Sequence, residues 1–153
     1  MRYRIVGAVI AALIIATQPP GLAGAADADV IGRIKTVQGQ AFLLRGTERT
    51  PATIGGAVQQ GDAVETGADG AIGITFRDNS VFSTGPNSRV AVDEFRFDSQ
   101  NFQGSFQSRV SKGTLSVVSG DIARGSPEAM TIRTPHTILG VRGTRFAVSV
   151  TED

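Results

Sequence analysis

Few residues in this chain are of the types that perform catalysis or hold metals. The sequence has no cysteine and a single histidine, His136, so a thiolate zinc site and a cluster of histidine ligands are both excluded. A serine–histidine–carboxylate arrangement would have to use His136, but it follows Pro135 in a predicted turn, where we expect a solvated imidazole. We therefore expect no catalytic residue, no metal site and no cofactor, and we predict that the protein is not an enzyme.

Other polar residues also fail as sites for metals or phosphate groups. Asp27 and Asp29 lack the shaped loop of oxygen ligands that Ca²⁺ requires, and we expect them to form a flexible acidic end. The Gly61-Asp62 pair is not followed by a strand-to-helix junction, so a phosphate-binding loop is not indicated. Tight turns with positive φ are the expected role of such glycines.

Arg142 and Arg145 are the most promising binding residues of the sequence. Gly140 and Gly143 allow the backbone to bend sharply beside them. A guanidinium on such a bend can present a rigid fork of donors to a carboxylate of another molecule. We therefore name Arg142 and Arg145 as candidate partner-binding residues.

A structural role for the arginines is the alternative interpretation. Arg142 could pair with an acidic residue such as Asp62 or Glu65 and so lock two turns together, and we favour this interpretation for Arg142. Arg145 is expected to face solvent, because it stands opposite Phe146 on a predicted strand.

Two phenylalanines lie in or beside a polar segment, where an exposed ring could anchor a partner. They are Phe102 and Phe106, between Ser99 and Ser111. Folding back over the core is the alternative, and we expect it to be the commoner outcome.

The first part of the chain has the three zones of a secretory signal peptide. A short basic head is followed by the apolar run Ile5–Ala16 and then by a segment of small residues. Twelve apolar residues are too few for a membrane span, which needs about 20, although an uncleaved anchor is the competing interpretation. We predict a signal peptide over residues 1–25, with cleavage near Ala25, export to the periplasm, and no transmembrane segment after cleavage.

Charge argues against nucleic-acid binding. Removal of the signal peptide lowers the basic count from 15 to 13, against 14 acidic residues. Because nucleic-acid binding depends on a basic face that releases counterions, and no basic cluster occurs in the sequence, we expect no nucleic-acid partner.

Short strands and tight turns dominate the rest of the chain. Ala71–Phe76 alternates most cleanly, with Ile72, Ile74 and Phe76 on one face. The parity of apolar residues changes between Val92 and Phe95, which predicts a bulge near Asp93-Glu94. Further strands are predicted over Val30–Lys35 paired with Gln40–Arg45, Val81–Thr84, Gly113–Val118, Met130–Thr134 and Thr144–Thr151.

These signals predict a fold without long helices. Thr47–Ala57 and Ser99–Gly104 are expected to be irregular, and no apolar stripe of helical period is present. The expected fold class is all-β, a single small domain of short antiparallel strands over residues 26–153, arranged as a sandwich or a short β-coil.

The order of these pieces resembles the periplasmic FecR domain. The pieces are a first strand pair, Ile31–Ile34 and Val37–Gln40; the turn Gly61-Asp62-Ala63-Val64-Glu65-Thr66-Gly67; the strand Ile72–Asp78; Lys112–Leu115; and Thr134-Pro135 leading to Val141-Arg142-Gly143-Thr144-Arg145-Phe146-Ala147-Val148. The resemblance covers nearly all of the chain after the signal peptide.

The resemblance implies an all-β periplasmic domain that contacts other proteins. Members of this family sense iron–siderophore uptake, with an anti-sigma segment and a membrane helix before the domain. This chain has a signal peptide in that position, so we expect a stand-alone module and do not carry over the iron-regulator role.

Two non-enzymatic functions remain open on the sequence. The first is a protein-binding or sensing component in envelope signalling, with an unidentified envelope protein as its partner. The alternative is a structural or glycan-contacting cell-envelope protein. An exposed regular edge strand would favour the first and an aromatic-lined groove the second, whereas a cleft gathering His136 with two acids would favour an enzyme.

Overall fold

The structure is a computed structural model and describes residues 30–142 and 145–151. The predicted signal peptide, with Asp27 and Asp29, lies outside the described residues. The described residues form twelve strands, one short α-helix and, over Pro127–Ala129, one turn of 3-10 helix. The strands and the α-helix are β1 Val30–Gln38, β2 Ala41–Arg45, β3 Glu48–Pro51, β4 Ala57–Gln59, β5 Ala63–Thr66, β6 Ala71–Phe76, β7 Val81–Thr84, β8 Arg89–Asp98, β9 Gln103–Val118, α1 Asp121–Gly125, β10 Met130–Arg133, β11 Ile138–Gly140 and β12 Arg145–Val150.

The strands form two sheets that share the long strand β9. One sheet runs β4-β1-β6-β7-β9-β12. It contains the C-terminal half of β9, Gly113–Val118, and we therefore call it the C-terminal-half sheet. The other sheet runs β3-β2-β5-β8-β9-β10-β11. It contains the N-terminal half of β9, Gln103–Lys112, and we call it the N-terminal-half sheet. All pairs are antiparallel except β9 with β10, which run parallel. The predicted all-β class is confirmed.

The change from one sheet to the other takes place at a glycine. Gly113 has a φ of +81°, and a Cβ added there would lie 2.4 Å from the Cα of Ser88. Ser88 Oγ donates to the carbonyl of Thr114 and accepts from the N–H of Thr114. A side chain at position 113 would therefore push apart the two segments that make the bend.

Four phenylalanine rings fill the space between the sheets. Phe76 and Phe82 come from β6 and β7, whereas Phe95 and Phe106 come from β8 and β9. Ring centroids in the cluster are 4.8 to 5.9 Å apart. The predicted inward face of β6 is confirmed, because Ile72, Ile74 and Phe76 are buried.

The change of parity in β8 is a bulge, as predicted. Val92 is the partner of Ser108 and Glu94 is the partner of Gln107, so Asp93 is the extra residue. The bulge turns Phe95 inward with Val92. In β12 the predicted faces are also confirmed, since Arg145 is exposed while Phe146 is partly buried.

Some predictions of local structure are wrong. β1 and β2 do not pair with each other: β1 pairs with β4 and β6, and β2 pairs with β3 and β5. Gly39 forms the turn between them, but this turn carries the chain from one sheet to the other. Thr47–Ala57, predicted to be irregular, contains β3. The five-residue helix α1 was not predicted, because one turn is too short to show a period.

Candidate functional site

The side chains of the turn from Gly61 to Gly67 make contacts that hold the fold together. Gly61 has a φ of +87°, which confirms the predicted tight turn. The Thr66 hydroxyl donates to the carbonyl of Gly85 at 2.7 Å and accepts from the N–H of Ser88 at 2.9 Å. Asp62 and Thr66 are both buried. These side chains are not available to a ligand.

Asp62 pairs with an arginine other than the one expected. Arg45 Nε lies 2.8 Å from Asp62 Oδ1 and its Nη2 lies 2.7 Å from Oδ2. Oδ2 also accepts from the N–H of Gln59 at 2.8 Å. The hydrogen bonds to Asp62 are the main reason why the pKa of Arg45 is raised above its usual value. The fork-to-fork geometry is the strong form of this ion pair.

The favoured pairing of Arg142 with Asp62 or Glu65 is therefore wrong. Asp62 belongs to Arg45, and Glu65 lies 3.1 Å from Arg49 and 3.6 Å from Arg89. Arg142 is exposed and makes no ion pair within the described residues. The reason is topological, since Asp62 and Glu65 lie at the β5 side of the sheet and Arg142 follows β11 at its opposite end.

The two candidate arginines flank one connection. Arg142 comes two residues after the end of β11, and Arg145 begins β12. Both side chains are exposed. β10 and β12 pair with successive parts of β9, so the connection joins the ends of the two sheets along that strand.

β10 and β11 form a hairpin with a tight turn between them. Thr134 donates its N–H to the carbonyl of Thr137 at 2.9 Å. Its hydroxyl accepts from the N–H groups of Thr137 and His136, at 3.1 and 3.3 Å. Pro135 supplies the fixed φ that suits the second position of such a turn. The expected loop position of His136 is confirmed, because its side chain is exposed.

β11 presents one unpaired edge and apolar side chains. Within the described residues it pairs with β10 alone. Ile138 is 61% exposed and Leu139 is 37% exposed. The strand contains no charged residue and no proline. Exposed apolar edges of this kind pair readily with another chain.

The hydrogen-bond alternation shows which groups of β11 face outward. Thr134 N–H bonds the carbonyl of Thr137, and Val141 N–H bonds the carbonyl of Met130 at 3.0 Å. Because bonded pairs alternate along an antiparallel ladder, Leu139 points its N–H and C=O toward β10. Ile138 and Gly140 therefore point theirs to the open edge.

Positively charged residues lie on the strand that pairs with β11 and follow β11 in the chain. Arg133 is the register partner of Ile138, and its side chain is exposed. Neither Arg133 nor Arg145 makes an ion pair within residues 30–142 and 145–151. The main-chain groups of β11 can thus pair with a strand, and exposed arginines on β10 and after β11 can pair with carboxylates.

The two phenylalanines of the polar segment have opposite positions. Phe106 is fully buried in the ring cluster, as expected for folding back over the core, whereas Phe102 is 53% exposed. The period of β9 explains the difference, because Phe106 alternates with the buried Ser108 and Val110. Phe102 lies in the preceding turn with a φ of +58°.

One buried carboxylate has a perturbed pKa. Asp78 is fully buried, and its carboxylate accepts from the hydroxyl of Ser80 at 2.7 Å and from its N–H at 3.1 Å. Burial raises the pKa of Asp78 above its usual value, and the hydrogen bonds oppose the rise without cancelling it. The carbonyl of Asp78 accepts from the N–H of Asp121 at the start of α1. This corner joins the β6–β7 hairpin to α1.

Metal ligands do not gather in the part of the chain that the structure describes. No group of three or more His, Asp or Glu side chains is close enough there to hold an ion. No helix formed by the described residues has the length and apolar character of a membrane span.

The sequence indicates the two candidate arginines, but it does not predict β11, which lies between the turn Thr134–Thr137 and Arg142. The signal was the uncharged Ile138-Leu139-Gly140 after the turn sequence Thr134–Thr137. Three residues are too few to show alternation, so the strand was missed.

Comparison with known proteins gives one match. The model of a family described as FecR protein matches residues 62–153. The match begins at Asp62, so the first predicted piece, Ile31–Gln40, lies before it. Searches of curated proteins and of solved structures gave no match.

Proposed function

This chain belongs to the FecR protein family, because the match covers more than half of its length, and from that premise we propose that it is an exported, non-enzymatic module that binds an envelope protein through β11. Export is proposed because of the basic, apolar and small-residue zones of residues 1–25. The lack of cysteine and the exposed turn position of His136 support a binding role rather than catalysis.

The open edge of β11 carries this proposal. The carbonyl groups of a strand added there would accept hydrogen bonds from the outward N–H groups of Ile138 and Gly140. The added strand would extend the N-terminal-half sheet by one strand. Main-chain pairing of this kind supplies affinity, and side chains on either side supply specificity. Ile138 on the outer face and Leu139 on the face of the buried Ile132 would cover the apolar side chains of the added strand.

The charges favour an acidic partner. Arg133, Arg142 and Arg145 are exposed and stand beside or after the edge strand. Exposed charges at the rim of an interface mainly steer encounter and fix orientation. We therefore propose an extended segment with acidic side chains as the part of the partner that pairs with β11.

A proline and an alanine at one position test the proposal. Gly140→Pro removes an outward N–H and leaves the pairing of Leu139 with β10 in place. Gly140→Ala is the matched control, since an added Cβ meets nothing within 4 Å. In pull-downs from envelope extract, wild type and Gly140→Ala should enrich the same protein, and Gly140→Pro should lose it. Circular dichroism checks that both variants fold.

A charge-reversal variant tests the contribution of the arginines to partner binding. Arg145→Glu should weaken capture, and the loss should be smaller at high salt. Capture that Gly140→Pro leaves intact would show that the partner does not pair with this edge, and capture of no protein by wild type would contradict the binding role itself.

A further inference from the structure

The outer face of the N-terminal-half sheet has two rows of side chains that cross its central strands. Residues that are register partners share a face, so each row runs from β2 through β5 and β8 to β9. The first row is Leu44, Ala63, Ala91 and Arg109, and the second row is Phe42, Glu65, Arg89 and Lys112.

An open groove of about 530 Å³ lies over these rows. Ala63 and Ala91 contribute small side chains, which leave space above the sheet. Arg89, Arg109 and Lys112 line the groove with longer, positively charged side chains. We call this surface the cationic groove.

The groove places like charges directly opposite each other. Arg89 is the register partner of Lys112, beside a register shift between β8 and β9, and both side chains line the groove. Like charges at such positions destabilise a sheet. This pair is a cost that the fold does not require, because a neutral polar residue would serve at the exposed position of Arg89.

Carboxylates of the chain offset only part of this charge. Glu65 is shared between Arg49 and Arg89, and Asp93 pairs with Arg109. Lys112 makes no ion pair within the described residues. The arrangement leaves an uncompensated positive charge over a floor of small side chains.

We propose that the cationic groove binds an acidic glycan, a sugar chain that bears carboxylates such as those of uronic acids. Its carboxylates would lie between the opposed cations and remove their repulsion. Arg89, whose contact with Glu65 is 3.6 Å long, can offer a fork of donors to a carboxylate, and Lys112 can offer its ammonium group.

The backbone below the groove favours a glycan over an acidic peptide. β5, β8 and β9 are interior strands whose N–H and C=O groups are used within the sheet. A peptide lying across this face would lose water from its own amides and gain no main-chain partner, which is costly. A glycan has no amide ladder to satisfy. No aromatic side chain is among the residues that line the groove, so stacking on a neutral sugar is not the mode indicated.

Calorimetric titration with a short oligogalacturonate tests this inference. The fully methyl-esterified oligomer of equal length is the control ligand, because it keeps the sugar rings and lacks the charge. Wild type should bind the acid form, more weakly at higher salt, and should not bind the ester. Lys112→Gln should weaken binding about tenfold, as expected for one charge-assisted hydrogen bond.

Matched variants separate a site from net charge. Lys35→Gln removes one exposed positive charge on β1, in the C-terminal-half sheet, and should leave affinity unchanged. Lys112→Gln should also raise the melting temperature slightly, because it removes one like-charge pair. A lower melting temperature would mean that Lys112 has a structural role instead.

Several results would overturn the inference. They are the absence of saturable binding to oligogalacturonate at low salt, an equal loss with Lys35→Gln and Lys112→Gln, and equal affinity for oligoglutamate. Gly140→Pro should leave glycan affinity unchanged, so failure of the edge-pairing proposal and failure of the groove are measured separately.

Discussion

The two edges of the N-terminal-half sheet are built from different kinds of residue. At one edge, β3 has the exposed charges Glu48 and Arg49 and ends at Pro51, which has no N–H to donate. Arg49 is held over the ring of Phe42, 3.4 Å from its centroid, and bonds Glu65. At the other edge, β11 has Ile138, Leu139 and Gly140, without charge or proline.

The difference shows which edge is protected against pairing. Charges and proline are common means of preventing edge-to-edge association, and β3 has both. β11 has neither, although it belongs to the same sheet and has similar length. A fold that needed only to avoid aggregation would protect both edges, so the composition of β11 supports the proposal that a partner covers it.

Loss of the shared core should affect both edges together. Phe106→Ala removes the ring that contacts Phe76, Phe82 and Phe95, and should lower the free energy of unfolding by about 3–5 kcal/mol. Phe102→Ala, at a half-exposed ring, should cost less than about 1 kcal/mol. Urea titrations of both variants provide the measurement. If the Phe106 variant lost β11 while β3 stayed ordered, the two edges would not depend on one core.

Loss of the Arg45 side chain should lower stability near the β3 edge and should not affect partner binding at β11. Arg45→Ala leaves the buried Asp62 without its bidentate partner, and we expect a loss of about 2 kcal/mol because Arg45 itself is partly exposed. Arg49→Ala, at a more exposed pair, should cost less than about 1 kcal/mol. Partner capture by β11 should persist in both variants, and its loss in Arg45→Ala would contradict the independence of the two edges.

The pH dependence of stability should depend on Asp78. This residue lies between β6 and β7, and its carbonyl accepts from the N–H of Asp121 at the start of α1. Burial raises the pKa of Asp78 in the folded state above 3.8, its usual value. The folded state therefore holds the proton more tightly than the unfolded state. The contribution of Asp78 to stability is fully present below pH 3.8 and is lost as the pH rises through the raised pKa.

Asp78→Asn should remove this part of the pH profile, because the amide does not titrate. Denaturant midpoints measured from pH 3 upward should fall less steeply in the variant than in wild type over that window. Identical profiles for the two proteins would show that Asp78 does not hold a raised pKa.

The smallest effects on stability are expected at the exposed candidate residues. Arg145→Ala and His136→Ala should each change the free energy of unfolding by less than about 0.5 kcal/mol. Arg145→Ala should nevertheless weaken partner capture, because we propose that its exposed charge pairs with an acidic partner. A large loss of stability in thermal unfolding would show that Arg145 is part of the fold and would weaken its assignment to binding.

Prediction from sequence succeeded where the period of the chain was long enough to read. Alternation in Ala71–Phe76 gave the correct inward face, and the change of parity after Val92 gave the bulge. Both depend on local burial, which the order of apolar residues records directly.

Prediction failed where the answer depended on distant pairing. The turn at Gly39 predicts a hairpin of β1 and β2, but these strands belong to different sheets. The sequence favours an ion pair of Arg142 with an acid such as Asp62 or Glu65, because it does not show that β2, with Arg45, lies next to β5. The cationic groove was missed for the same reason, since its residues come from four strands.

Amide hydrogen exchange, resolved by NMR, tests most directly whether β11 is an open edge that receives a partner strand. In the free protein the amide of Leu139 should exchange slowly and those of Ile138 and Gly140 rapidly. Addition of the captured partner should slow Ile138 and Gly140 while the amides of β3 stay unchanged. Protection of Ile138 and Gly140 in the free protein, or no change on binding, would contradict the account.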